Sequence, residues 1–262
     1  MNEESIRGMN IKTYNNLYKD HYPRQSYEVK NKIRIILSQN FVQKCSGKKV
    51  LDIGFGTGDV LLNLSEKGAD CYGIEIVKSA IENFHSNFEH DNINENIHLI
   101  IGNAENLPYL SRSFDLVICS HVLEHVKDDR KMMEEIGRVL REGGKCILLI
   151  PTSEWHTSLH YREYSITSIK SLLTNTNLDI INYRYYTSFF LKKILSLKDT
   201  PKISIPSRDN ASFSLFIHLY YKLIVPLLLF ISSIDDFFAK SNGTEILIIL
   251  EKAQSAIVTR IK

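Results

Sequence analysis

The chemistry-bearing string with the tightest spacing is SHVLEHV, residues 120–126, which sets His121, Glu124 and His125 in the order H-x-x-E-H. Two imidazoles one helical turn apart with a carboxylate between them form a zinc-hydrolase signature: the histidines ligate the metal and the acid is the base. That chemistry needs the motif on a long helix and a further ligand from elsewhere. Here the string directly follows an apolar run, FDLVICS, and reaches the polar loop KDDR within a few residues. It therefore belongs in the loop after a buried strand, and the zinc-hydrolase assignment is set aside. Two roles stay open. His121 or His125 can act as a general base near its neutral pKa, or the pair Glu124–His125 orients the loop while His121 lines a pocket.

The second constellation is VLDIGFGTGDV, in which Gly54, Gly56 and Gly58 interrupt an apolar run and precede a helical pattern. Glycines at such a turn let the backbone bend sharply and approach a ligand closely. About twenty residues on, Glu75 ends the next apolar run, where an acid accepts hydrogen bonds from both hydroxyls of a ribose. A dinucleotide site would need a small third residue in G-x-G-x-x-G, and this chain has Asp59 there. Asp52 beside the turn repels phosphate and favours a cationic ligand. Together these residues point away from NAD and ATP and toward S-adenosyl-L-methionine.

The elements that must carry these residues follow from the periodicity. KKVLDIG, DCYGIEI, NIHLIIGNA, SFDLVICS and KCILLIP read as five strands, separated by the helical stretches DVLLNLSEKG, VKSAIENFHSNF and RKMMEEIGRVLREGG, the last closed by Gly143. Strands alternating with helices predict a parallel sheet. An amphipathic helix is expected over 27–44, and another over SITSIKSLLTNTN with Ser165 as its N-cap. LDIINYRYYT and TEILIILEKA read as two more strands. The stretch between them is too long for a plain loop and should hold helices of its own.

Composition narrows the class. Lys+Arg 32 against Asp+Glu 30 leaves a formal charge of +2, too balanced for a nucleic-acid binder, and none is expected as a partner. Cys45, Cys71, Cys119 and Cys146 are widely spaced, with no C-x-x-C, and Cys119 and Cys146 sit in apolar runs as small buried hydrophobes. A polar N-terminus lacks a signal-peptide core, so a reduced, cytoplasmic setting is expected.

The ordered series VLDIGFGTG, GIEI, GNAENLPYLSRSFDLVICSHVLEHV and RVLREGGKCILLIP resembles the successive motifs of class I S-adenosylmethionine-dependent methyltransferases, nearest to the ubiquinone- and menaquinone-biosynthesis group. The resemblance covers about residues 48–151. It implies an α/β, Rossmann-like, mostly parallel seven-stranded sheet with an antiparallel C-terminal strand pair and helical caps. It implies one domain over 1–262: an N-terminal helical cap (1–46), a cofactor-binding core (47–187), an apolar helical insertion or lid (188–243), and a final strand and tail (244–262). Asp52 and the three glycines would line the methionine part of the cofactor and Glu75 would hold the ribose. Ile76 would pack on adenine, and Asn103–Ala104, in place of the family's Asp-Ala, would meet the adenine amino group. Ser120, His121 and His125 would face the transferable methyl group, with the two histidines as the catalytic candidates. Some relatives with E-x-x-E-H bind a divalent metal here. His121 replaces the first Glu, and no metal ligand is assigned.

The implied activity is methyl transfer to a small-molecule or lipid- or glycan-linked acceptor, at oxygen in the first instance, with a non-catalytic binding or partner subunit as the alternative. SFSLFIHLYYKLIVPLLLFISSIDDFF is the most apolar stretch, and His218, Lys222 and Pro226 interrupt it. A spanning helix is not expected. A lid is, with peripheral membrane contact through 212–238 as the other reading. Tyr14, Tyr18, Tyr22 and residues 161–164 supply aromatics for an acceptor pocket or for packing of the cap.

Overall fold

The computed structural model describes residues 8, 11–16, 26–88, 96–152, 160–186, 219–238 and 243–254. Tyr18, Tyr22 and most of the 188–243 stretch lie outside them. Seven strands form one sheet: β1 Lys49–Ile53, β2 Asp70–Glu75, β3 Ile97–Ile101, β4 Phe114–Ser120, β5 Leu140–Pro151, β6 Leu178–Tyr186 and β7 Glu245–Lys252. Their order is β3-β2-β1-β4-β5-β7-β6, parallel through β5, with β7 antiparallel to both β5 and β6. The seven-stranded sheet with its antiparallel closing pair is the architecture expected above.

Side chains alternate between two cores, one on each face, as the two-residue period of a strand requires. Leu51 and Ile53 enter one core and Val50 the other; Cys146, Leu148 and Ile150 oppose Ile147 and Leu149. Because both faces are covered, the strands read as continuous apolar runs. Cys119 and Cys146 are buried free thiols.

Helices α1 Tyr27–Leu37, α2 Asn40–Gln43, α3 Asp59–Ser65, α4 Lys78–Phe88, α5 Asp129–Val139, α6 Ile166–Leu172 and α7 Val225–Phe238 flank the sheet. Ser165 caps α6 in a reciprocal box with Ser168. Two expectations need correction. The helix expected over 27–44 breaks after Leu37, where the Ser38 hydroxyl and the Gln39 amide both take the Ile35 carbonyl. The helix expected to run to Gly143 stops at Val139. Leu140 instead enters the sheet opposite Phe114, both fully buried, with a bulge between Phe114 and Leu116. Before α7, residues Tyr220–Ile224 form a widened π-type turn. Pro226 explains it, since its ring excludes the carbonyl four residues back.

The turns after β1, β2, β3 and β4 share one sheet edge. The strand order reverses between β1 and β4, so a crevice opens there, the usual ligand position in an open α/β sheet.

Candidate active site

At the crevice the chain after β1 turns through Gly54, Gly56 and Gly58 with φ of 68°, 60° and 77°, a left-handed conformation that L side chains rarely adopt. A Cβ on Gly54 would stand 2.3 Å from Val122 Cγ2, and one on Gly58 2.2 Å from Phe84 Cδ2. Val122 and the core ring of Phe84 therefore pack directly on the turn's backbone, where no side chain fits. Gly56 N–H donates to Glu75 Oε2 at 3.3 Å, and Ile76 N–H donates to Oε1 at 2.8 Å. Two amides thus fix the acid at the tip of β2, while Ile76 beside it is exposed.

Asp52 and Glu75 are both buried. Burial pushes Asp52 up to about 7; Lys32 pulls back and the negative charge of Glu75 adds to the rise. Burial also raises Glu75, against the backbone amides of Ile76 and Gly56. Two buried carboxyls, both shifted upward by burial, fit a ligand that brings a positive charge and hydroxyl donors.

Asn103 lies in the turn after β3. Its Oδ1 accepts from Glu105 N–H at 3.0 Å, and its Nδ2 donates to Glu105 Oε2 at 3.3 Å. The amide's orientation is thereby supported, and a second lone pair on Oδ1 is left for an amino group. Glu105 Oε1 also accepts from the Lys127 and Asp128 amides, tying this turn to the loop after β4. Ala104 is buried beneath it.

The loop after β4 is the other half of the site. Ser120 ends the strand with a buried hydroxyl that makes no hydrogen bond. His121 adopts φ 55°, a costly backbone for a non-glycine residue, held by His121 N–H donating to the Leu149 carbonyl at 2.8 Å. Its ring lies between two acids, with Nε2 2.8 Å from Glu245 Oε1 and Nδ1 3.5 Å from Glu124 Oε1. Burial works against the charged ring, but the hydrogen bonds and charges of Glu124 and Glu245 outweigh it and push His121 up to about 10. The ring is an imidazolium at neutral pH. Burial likewise opposes the charge on Glu124, yet His121 and His125 hold its carboxyl below the usual range.

His125 closes the short turn Leu123–His125, which is one 3-10 turn and not the long helix a zinc hydrolase requires. Its Nε2 pairs with the Tyr14 hydroxyl at 3.0 Å, and its ring stands edge-on to His160 with centroids 5.0 Å apart. Ligand atoms of Glu124, His125 and His160 lie within 4.8 Å of one another, a possible cation group that takes His160 where the sequence offered His121. The Tyr164 hydroxyl meets the Leu123 carbonyl and Asp129, so this aromatic buttresses the loop.

Glu245 was not singled out in the sequence, and it is the first residue of a long polar chain. Asn31 Nδ2 donates to its Oε2 at 3.5 Å, Arg34 donates to Asn31 Oδ1 at 2.7 Å, and Arg34 also reaches Asp236 Oδ2 at 2.6 Å and Ser232 Oγ at 3.1 Å. His121 is thereby linked through β7 and α1 to α7. The signals for this chain were faint: one Asn within an amphipathic helix, two acids inside an apolar run, and an acid opening the last strand.

The strands and turns around the crevice are similar to those of known proteins. Residues 51–148 match the family described as a methyltransferase domain. The crystal structure of YcgJ from Bacillus subtilis superposes over 85% of this chain and 98% of its own, with a TM-score of 0.57 at 19% identity. The core is a class I S-adenosylmethionine-dependent methyltransferase fold. The uncharacterized methyltransferase YcgJ is 36% identical over 101 residues, 38% of this chain and 40% of YcgJ. The ubiquinone/menaquinone biosynthesis C-methyltransferase UbiE of Vibrio cholerae is 30% identical over 57% of this chain and 61% of its own. The sterol 4-C-methyltransferase strm-1 of Caenorhabditis elegans is 30% identical over 44% and 37%. The chain thus spans less than two thirds of each of these curated relatives. For this methyltransferase fold, the cofactor to which fold and relatives point is S-adenosyl-L-methionine.

Proposed function

We propose that the protein is an S-adenosylmethionine-dependent methyltransferase acting on a small-molecule or lipid- or glycan-linked acceptor. The observation that carries this reading is the crevice itself, where Gly56 and Ile76 hold Glu75 near a buried Asp52 whose carboxyl is pushed up to about 7. Asp52 and the glycine turn would hold the methionine portion, Glu75 the ribose, and Ile76, Asn103 and Ala104 the adenine, with Ser120 at the methyl end. When bound, the cofactor supplies an activated methyl group on a sulfonium, so the protein's task is alignment of the acceptor.

Around that acceptor the chain supplies two histidines with different duties. His121, clamped by Glu124 and Glu245, keeps its proton and serves as a fixed cation that shapes the pocket. An acceptor hydroxyl sheds a proton on methylation, and the role of taking it up is assigned in this reading to His125, which pairs with Tyr14. Oxygen is the acceptor atom of this reading. Carbon is the second reading, supported by the C-methyltransferase names of two relatives.

Calorimetry with S-adenosylmethionine and its demethylated product tests the cofactor; no heat with either sinks the proposal. Mass spectrometry of cell extract incubated with labelled cofactor then reports the acceptor and the atom methylated. Cofactor binding with no labelled product in any fraction favours a non-catalytic subunit.

A further inference from the structure

Residues 11–16 are helical, and their side chains bond to both sides of the crevice. The Tyr14 hydroxyl and His125 Nε2 share a hydrogen bond of 3.0 Å, and the two rings stand edge-on with centroids 5.6 Å apart. The next residue faces another way: the Ser79 hydroxyl donates to Asn15 Oδ1 at 2.9 Å. Successive side chains on a helix point about 100° apart, so one dipeptide can reach in two directions. His125 lies just after β4, and Ser79 lies in the first turn of α4, just after Glu75 at the tip of β2. In the sheet β1 stands between β2 and β4. The segment therefore crosses the line of the glycine turn, with one anchor on the side of Glu75 and the other on the side of the histidines.

A ligand has to be let in beneath it. Asp52 and Glu75 are 3% and 9% exposed, so a molecule that bonds them reaches them only if something above moves. The strand ends and the glycine turn are poor candidates, being held in the sheet's ladder and packed by Val122 and Phe84. The 11–16 segment is held differently. No backbone hydrogen bond among the described residues joins it to the sheet or to the flanking helices. Ile11 and Tyr14 pack, partly buried, on the core of that face, and the two side-chain bonds fasten the segment there. An element with so little backbone bonding opens at lower free energy than a packed strand.

We propose that residues 11–16 are a strap that closes over the bound cofactor and must lift before it leaves. Asn15 on Ser79 and Tyr14 on His125 are its two anchors. The proposal rests on the S-adenosylmethionine reading and extends it, because it gives the N-terminal segment a part in holding the ligand. Tyr14 meets the same imidazole to which proton uptake is assigned above, so opening the strap also breaks the hydrogen bond between Tyr14 and His125.

Release of labelled S-adenosylmethionine from the full chain, chased with an excess of its demethylated product, tests the strap. Asn15→Ala, Ser79→Ala and Tyr14→Phe should each speed release about fivefold over wild type, the effect of one neutral hydrogen bond. Asn15→Ala combined with Ser79→Ala should be no faster than either alone, since the two remove one bond. Asn15→Ala combined with Tyr14→Phe should multiply to about 25-fold. Bound cofactor should also slow tryptic cleavage after the exposed Lys12 by about tenfold or more. An anchor whose loss leaves release unchanged overturns the proposal, as does cleavage after Lys12 at one rate with and without cofactor. Calorimetry on wild type separates the two readings. Heat with unchanged release in the variants sinks the strap alone, whereas no heat with cofactor or product sinks the transferase reading and the strap with it.

Discussion

The two halves of the crevice are made in different ways. The half proposed to hold the cofactor is local: a glycine turn, an acid at the next strand end held by the Gly56 and Ile76 amides, and an Asn turn after the third strand held by Glu105. The half proposed to meet the acceptor is assembled from afar. His121 meets Glu245 across 124 residues of chain, Asn31 meets Glu245 across 214, and Arg34 meets Asp236 across 202. A backbone-built site tolerates change in its surroundings, whereas one built of buried, mutually dependent charges does not.

The largest expected effect breaks the cofactor half. Glu75→Ala removes the carboxylate proposed to hold the ribose hydroxyls, and should weaken S-adenosylmethionine binding by about 100-fold or more in calorimetry. Variants of the acceptor half should leave that constant within about threefold. If Glu245→Gln weakens cofactor binding as much as Glu75→Ala does, the two halves are not separate.

Next in size is the pH dependence conferred by Asp52. With its carboxyl pushed up to about 7, a cationic ligand binds the ionised form and expels a proton. Affinity should be about tenfold lower at pH 6 than on its alkaline plateau, and Asp52→Asn should flatten the profile. Stability of the ligand-free protein runs the other way. A raised folded pKa contributes stability below the unfolded value of 3.8 that is lost as pH rises through about 7.

Glu245→Gln acts on the acceptor half. One anion fewer should bring His121 down from about 10, visible as an imidazole titration in NMR, and lower turnover about five- to tenfold with little change in cofactor affinity. The sign for stability is fixed by the raised folded pKa. The contribution of His121 is complete below the unfolded value of 6.5 and disappears as pH rises through about 10, so the wild type should lose stability over that window and the variant less. Smallest is Ser232→Ala, which removes a hydroxyl bonded to Arg34 and Asn31 and should cost about 1 kcal/mol in denaturant unfolding.

The same division explains what could be read in advance. Gly54, Gly56 and Gly58 were legible as a turn, and Asp52 and Glu75 as acids at strand ends, because a strand followed by a sharp turn dictates its own residue types; Ile76, Asn103 and Ala104 were named on the resemblance alone. SHVLEHV was legible as a loop after a buried strand, and the apolar strands betrayed a sheet covered on both faces. Glu105, Glu245, Asn31 and Arg34 were not, since one polar residue in an amphipathic segment looks alike whether it faces water or a buried partner. The early end of α5 was hidden for a similar reason, because burial of Leu140 against Phe114 overrides the helical pattern continuing to Gly143.

Local steric and hydrogen-bonding rules act over a few residues, so the sequence by itself determined the sheet, the turn and the kind of ligand the turn accepts. Electrostatic partnership acts through space. Only the tertiary structure could decide that His121 carries its proton between two acids, and that α7 turns Asp235 and Asp236 inward and Phe230 and Phe237 out.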